Sequence, residues 1–286
     1  MQNSLEETKF ILKKYGITAN KKLGQNFLID DNVIQGIVKS AQIESTDLVI
    51  EIGPGLGTLT APLLEKAGKV IAIELDQKML KILNDRFHLY DNFMLLNNDI
   101  LQVDLKKLIK ENISGFSKVK VVANLPYYIT TPIIMKLLEE KLDIESITVM
   151  VQKEVADRIT AIPGDKLSGA ITYSVDYYAE AKKVIFVDKQ CFIPSPEVDS
   201  EVIKLDIRST PAVNVNDEEL FFRIIKASFM QRRKTLINGL SNSGIITNKE
   251  KIKNIFEKIG IDLGIRGEKL TIEQFAKLSN LISESI

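Results

Sequence analysis

"DLVIEIGPGLGTLT", residues 47–60, decides the fold of this 286-residue chain. An apolar, partly β-branched run from Leu48 to Ile52 ends in glycines at positions 53, 55 and 57, and a helical pattern follows. Glycines at such a turn let the backbone bend tightly and lie close to a ligand where a Cβ would clash, with a helix N-terminus aimed at that ligand. The spacing is G-x-G-x-G. A dinucleotide site prefers G-x-G-x-x-G, and Thr58 stands at the sixth position here, which disfavours tight pyrophosphate binding.

Outward from this turn the same rhythm repeats. "KVIAIEL" (69–75), "FMLLNND" (93–99), "KVKVVANL" (118–125) and "ESITVMVQ" (145–152) are further strand-like runs, separated by helical segments such as Asp76 to Arg86 and Thr131 to Glu140. "AKKVIFV" (181–187) and "SEVIKLDI" (200–207) follow with only a loop between them, as an antiparallel pair at a sheet edge would. The expected fold is α/β: a doubly wound, seven-stranded, Rossmann-like sheet. Beyond Asn216, which has N-cap spacing to Glu219, the pattern is wholly helical, with Phe221, Ile224, Ile225, Phe229 and Leu236 on one stripe. A boundary near residue 210 therefore separates a catalytic domain, 1–210, from a small all-helical domain, 211–286. At the other end, Ser4 and Glu7 have capping-box spacing for an N-terminal helix, and the basic stretch "NKKLGQNFL" follows it.

Composition narrows the chemistry. The chain is 45% hydrophobic and 27% charged, enough for one large core and a small one. No run approaches the ~18 apolar residues of a membrane span, and the N-terminus lacks the order of a signal peptide, so a cytoplasmic protein is expected. One cysteine, Cys191, and one histidine, His88, leave no basis for a disulfide, a zinc site or a histidine base. The 38 basic and 38 acidic residues cancel, yet residues 221–286 hold 12 Lys and Arg against 6 Asp and Glu, a local charge of +6. That portion suits an anionic partner.

Two acids stand at strand ends. Glu74, beside Leu75, is about twenty residues past the glycines and can accept from both hydroxyls of a ribose; Asp99, beside Ile100, can accept from an adenine amino group. A mononucleoside without phosphate fits Gly53, Gly55, Gly57 and these acids, and S-adenosyl-L-methionine is the common cofactor of that description. "NLPYY" (124–128) ends the next strand at the same sheet edge. It offers no acid, base or metal ligand. An aryl amine is a poor nucleophile that no ordinary base deprotonates, so geometry must activate it: the Asn124 side-chain oxygen and the Leu125 or Pro126 carbonyl would accept its two N–H bonds, with Tyr127 stacked on the ring.

Taken together, "GQNFL" (24–28), "EIGPGLGTLT", "NLPYYITTP" (124–132), "QKEVADR" (152–158), "FIPSPEVDS" (192–200), "QRRKTL" (231–236) and "GIDLGIRGEKLTIEQF" (260–275) resemble the bacterial small-subunit ribosomal RNA adenine N6,N6-dimethyltransferases. The resemblance runs from about Lys21 to Phe275. Leu167-Ser168-Gly169 departs from it, since many relatives have a Tyr-Gly pair there. It implies a class I methyltransferase, monomeric, acting on 16S rRNA near its 3′ end. It also implies cofactor contacts at Asn26, Leu28, Gly53, Glu74, Asp99 and Asn124, and Phe192 facing Tyr127 across the target base. For RNA phosphates, the exposed basic residues Lys21, Lys22, Arg232, Arg233 and Lys234 are the expected contacts, the last three on a helix. A ribosome-assembly factor with incidental methylation stands as an alternative. A nicotinamide oxidoreductase is disfavoured by Thr58 and by the lack of a second nucleotide half.

Overall fold

The structure is a computed structural model describing residues 3–20, 24–231 and 234–285. In chain order the elements are α1 (Ser4–Tyr15), β1 (Phe27–Leu28), α2 (Asp31–Ser40), β2 (Asp47–Ile52), α3 (Thr60–Leu64), β3 (Lys69–Glu74), α4 (Gln77–Phe87), β4 (Phe93–Asn97), α5 (Leu105–Asn112), β5 (Lys118–Asn124), α6 (Thr130–Glu139), β6 (Ser146–Gln152), α7 (Lys153–Ile159), α8 (Ala170–Tyr178), β7 (Ala179–Val187), β8 (Phe192–Ile193) and β9 (Ser200–Ile207). Four helices follow: α9 (Glu218–Met230), α10 (Leu236–Asn242), α11 (Lys249–Ile259) and α12 (Ile272–Ser283).

The seven-stranded sheet has the order β4-β3-β2-β5-β6-β9-β7. β2 pairs in parallel with β3 and β5, β5 with β6, and β9 returns antiparallel to β6. The central strands read as mainly apolar runs because helices cover both faces: every residue of β2 is buried. From β2 the chain winds to β3 and β4 on one side, then comes back to β5 and β6 on the other. The strand order thus reverses between β2 and β5, and the crevice outside the carboxyl ends of these strands is where such sheets bind ligands. A second, two-stranded sheet joins β1 to β8, with Leu28 opposite Phe192.

The chain divides into two compact units. One comprises the chain up to Ala156 with Ala181–Ile207; the other comprises Asp157–Glu180 and the chain from Arg208 on. The boundary expected near residue 210 is thus the last of three crossings. The reason lies in α8, which packs against α9 and α12. Its Tyr173 is wholly buried, with ring centroids 5.5 Å from Phe229 and 5.0 Å from Phe275, and its hydroxyl donates to the Leu270 carbonyl at 2.6 Å.

Local details depart from the sequence expectation in three places. The first helix is capped by Asn3, whose side chain accepts from Leu5 N–H at 2.8 Å, because the Ser4 hydroxyl donates instead to Asp31. Asp217 rather than Asn216 caps α9, accepting from Leu220 N–H at 2.9 Å, while the Asn216 N–H is held by Asn280 on α12. The stripe from Phe221 to Leu236 is broken after Met230: Gln231 leaves the helical region, and the Leu236 N–H donates to the Ile265 carbonyl at 2.8 Å, starting a new helix. Lys234 consequently lies in the connection between α9 and α10, exposed, and not on a helix.

Candidate active site

The carboxyl ends of β2, β3, β4 and β5, roofed by residues 24–28, enclose a cleft of about 1080 Å³, counting the space open to solvent at its mouth. Positive φ angles of 66° and 58° at Gly53 and Gly55 let the loop after β2 curl against it. Gly53 N–H donates to the Ile73 carbonyl at 3.0 Å and Gly55 N–H to Glu74 Oε2 at 3.1 Å, so the loop is tied to the end of β3. Gly57 does not line the cleft. A Cβ there would stand 2.4 Å from Phe87 Cε2 on α4, which makes this third glycine a packing position and not a ligand-facing one.

Glu74 is buried, and burial pushes its carboxyl above the usual range against the lowering effect of the Asp76 and Gly55 amides. Its Oε1 accepts from Asp76 N–H at 2.8 Å. Half-buried Asp99 accepts from Leu101 N–H at 2.9 Å with Oδ1. Leu75, 48% exposed, and buried Ile100 supply apolar wall beside these acids. The roof is fixed from below: Gln25 Nε2 donates to Asp76 Oδ2 at 2.8 Å, and the Asn124 amide nitrogen donates to the Asn26 carbonyl at 3.4 Å. Asn26 and Leu28 both face the cleft.

That last bond orients the "NLPYY" turn. With its nitrogen engaged, Asn124 keeps Oδ1 as an acceptor at the end of β5. The Pro126 carbonyl accepts from Ile129 N–H at 3.2 Å and Thr130 Oγ1 at 3.1 Å, so of the two carbonyls considered from sequence it is the one already in use. Tyr127 lines the cleft half-buried, its hydroxyl 2.6 Å from Ser200 Oγ, and burial raises its phenol above the usual range. Tyr128 lines it too and is 54% exposed.

Phe192 is placed elsewhere. It is 3% exposed within the hydrophobic core, on β8 opposite Leu28, and is not part of the cleft wall. Lys21, Lys22, Arg232 and Arg233 lie outside the described residues. Among the described residues no group of three or more His, Cys, Asp or Glu side chains is arranged to hold a metal, and no helix is long and apolar enough to cross a membrane.

Among the wall residues that the sequence reading did not single out are Gln25, Tyr128 and, above all, Glu51. Glu51 is 1% exposed, accepts from Thr60 Oγ1 at 2.6 Å, and burial pushes its carboxyl up to about 8. A lone acid inside the apolar run of β2 was its visible signal. No Lys, Arg or His side chain stands among the cleft's described residues, while three acids do. Such a wall repels a pyrophosphate and suits a cationic nucleoside.

The model of the family described as ribosomal RNA adenine dimethylase matches residues 16–284. The chain belongs to the ribosomal RNA adenine dimethylase family. A ribosomal RNA small subunit methyltransferase A of Bacillus pumilus is 52% identical over 281 residues, 98% of this chain and 96% of the relative. Its counterpart in Clostridioides difficile is 48% identical over 284 residues, 99% and 98% of the two chains. Among solved structures, a dimethyladenosine transferase from Plasmodium falciparum superposes with a TM-score of 0.71 at 26% identity, covering 88% of this chain and 95% of that one. The 23S rRNA methyltransferase ErmE superposes at 0.67 with 24% identity, over 90% and 100%, and shares the fold. The adenine dimethylase draws its methyl groups from S-adenosylmethionine. The cleft fits that molecule: paired acids for the nucleoside hydroxyls and amine, apolar walls, no phosphate-binding base, and acids to balance positive charge.

Proposed function

We propose that the chain dimethylates N6 of two adjacent adenines in a 3′-terminal hairpin of 16S rRNA during small-subunit biogenesis, acting in the cytoplasm as a monomer. Asn124 carries the reading: its amide is committed through nitrogen to the Asn26 carbonyl, which leaves an oxygen acceptor where the target amine must sit. Bound S-adenosylmethionine supplies an electrophilic methyl on a sulfonium. Glu74 takes the ribose and Asp99 the adenine of the cofactor, with Gly53, Gly55, Asn26, Leu28, Leu75 and Ile100 closing around them. Asn124 Oδ1 and the Leu125 carbonyl accept the two N6–H bonds, aim the lone pair at the methyl and stabilise positive charge as it builds on nitrogen. After each transfer N6 is cationic and strongly acidic and loses one proton to water, so no side-chain base is needed. A monomethylated amine still has one N–H for the same acceptors, which permits the second transfer.

The adenine must leave its stack to enter the cleft, and Tyr127 offers the face that compensates for this. Residues 211–286, with their excess of basic side chains, serve as the rRNA-binding domain; Arg232, Arg233 and Lys234, with Lys21 and Lys22 on the catalytic side, contact phosphates. The test is Asn124→Ala in single turnovers at saturating small-subunit particles. Methyl transfer is expected to fall ~100-fold or more while RNA affinity stays within ~2-fold, since the acceptor works on charge that develops in the transition state. Wild-type speed in the variant would sink the reading, and mass mapping of the product RNA identifies the adenines.

A further inference from the structure

Tyr128 has no part in the scheme above. It follows Tyr127 in a single turn of 3₁₀ helix, Tyr127–Ile129, and both residues line the cleft. The two are held differently. Half-buried Tyr127 reaches Ser200 at the start of β9, with the hydroxyls 2.6 Å apart. Tyr128 leans toward the roof: a Cβ added to Gly24 would stand 3.4 Å and 3.8 Å from its Cδ1 and Cε1. Having no side chain, Gly24 lets the roof backbone lie close to that side of the ring. Otherwise the side chain is open: Tyr128 is 54% exposed, and its hydroxyl makes no hydrogen bond among the described residues.

We propose that Tyr128 is the stacking platform for the nucleotide next to the target adenine. The inference rests on the reading of the cleft as the place where N6 of two adjacent adenines is methylated. Glu51, Glu74 and Asp99 stand in the cleft wall, and among its described residues there is no Lys, Arg or His to attract a phosphate. A strand at the mouth therefore turns its bases, and not its backbone, toward this wall. When one adenine is drawn out of its stack into the cleft, the base beside it loses a stacking partner. An open aromatic ring at the mouth replaces that partner, and any base can use it because every base has a π-face. With one side of the ring already set against Gly24, little freedom remains to be lost when a base lands on it. Two adjacent adenines make this specific: whichever one enters the cleft leaves the other as its neighbour. Tyr127 and Tyr128 lean to different borders of the cleft, so Tyr128 meets the neighbour on one side of the strand only, and the two adenines are not equivalent to the enzyme.

Small-subunit particles rebuilt around 16S rRNA with an abasic site at one or the other target adenine isolate the two registers. Single-turnover transfer to the remaining adenine, at saturating S-adenosylmethionine and sub-saturating enzyme, is compared with transfer to the same adenine in the intact particle. In the wild type, loss of the neighbouring base is expected to slow transfer ~10-fold in the register that places it on Tyr128, the worth of one base–aromatic stack. Tyr128→Leu keeps an apolar side chain against Gly24 but has no ring, and its rates on intact and abasic particles should agree within ~2-fold in that register, with Tyr128→Phe recovering the ~10-fold dependence. A Tyr128→Leu enzyme as sensitive to the abasic site as the wild type would overturn the proposal, and so would a wild-type enzyme indifferent to the abasic site in both registers. A Tyr128→Leu defect that lies wholly in S-adenosylmethionine affinity by calorimetry, and vanishes at saturating cofactor, makes Tyr128 part of the roof alone and equally refutes it. Failure of the wild type to methylate intact particles would instead sink the functional reading on which the proposal rests. The wild-type comparison needs no variant, so a Tyr128→Leu protein that does not fold leaves the proposal open to refutation.

Discussion

Replacing Gly57 by alanine separates the packing glycine from its two neighbours in the loop. Gly57 has φ +82°, where an L-residue is strained by ~1–2 kcal/mol. The new methyl would also stand 2.4 Å and 2.9 Å from two ring atoms of Phe87 and 3.0 Å from Leu83 Cδ2. Both side chains are buried in α4 and cannot swing into solvent. Forcing a methyl into a filled core adds ~1–3 kcal/mol, so the whole cost is ~2–5 kcal/mol. Gly55→Ala is the control. Its φ of +58° carries a similar strain, but its nearest neighbour is Phe27 Cε1 at an ordinary 3.7 Å. Urea unfolding of the first unit's transition is expected to place Gly57→Ala ~1–3 kcal/mol below Gly55→Ala. Calorimetry on the folded fractions should show the greater loss of S-adenosylmethionine affinity for Gly55→Ala, whose methyl faces the cleft. Equal stability for the two variants would refute the packing assignment of Gly57.

Glu74→Ala is expected to weaken S-adenosylmethionine binding by ~1–3 kcal/mol in a calorimetric titration; unchanged affinity in a folded variant removes the ribose assignment. Because Glu51 is held well above its unfolded value, the native state binds more protons than the unfolded chain from about pH 4.5 to 8, and stability of the ligand-free protein declines as pH rises across that window. The contribution is at most ~5 kcal/mol at ~1.4 kcal/mol per pH unit, and urea midpoints at pH 5 and 8 should converge in Glu51→Gln. Arg232→Gln with Arg233→Gln should flatten the salt dependence of small-subunit binding by up to ~2 units of log-log slope and leave S-adenosylmethionine affinity alone; a wild-type slope moves the RNA contact elsewhere.

The sheet was readable because the parallel strands β2, β3, β5 and β6 are buried on both faces and so declare themselves as mainly apolar runs closed by a turn, a polar residue or an acid. Glu74, Asp99 and Asn124 could be placed at the cleft wall for a related reason: a strand end fixes a side chain's place without knowledge of its neighbours. Gly57 was not separable from Gly53 and Gly55 in sequence, since all three have positive φ and only the approach of Phe87, thirty positions on, tells packing from binding. Glu51 was missed because a lone acid inside the apolar run of β2 does not by itself tell that its side chain reaches the cleft wall. The helix expected to carry Lys234 failed at Gln231 because a tertiary bond from Leu236 to Ile265 outweighs the helical preference of the stretch. The resemblance put Phe192 against the target base, whereas the residue lies in the core.

The discontinuous second unit has a consequence for how the chain is made. α8 is synthesised before β7, β8 and β9, and its aromatic partners on α9 and α12 come last of all. Tyr173 is covered only when Phe275 has been synthesised, which at ordinary elongation rates is a delay on the order of ten seconds. For that interval the Tyr173 ring lacks one of the two aromatic rings that cover it. A polypeptide terminated between β9 and α9 retains every residue of the cofactor cleft and leaves Tyr173 with neither of its aromatic partners.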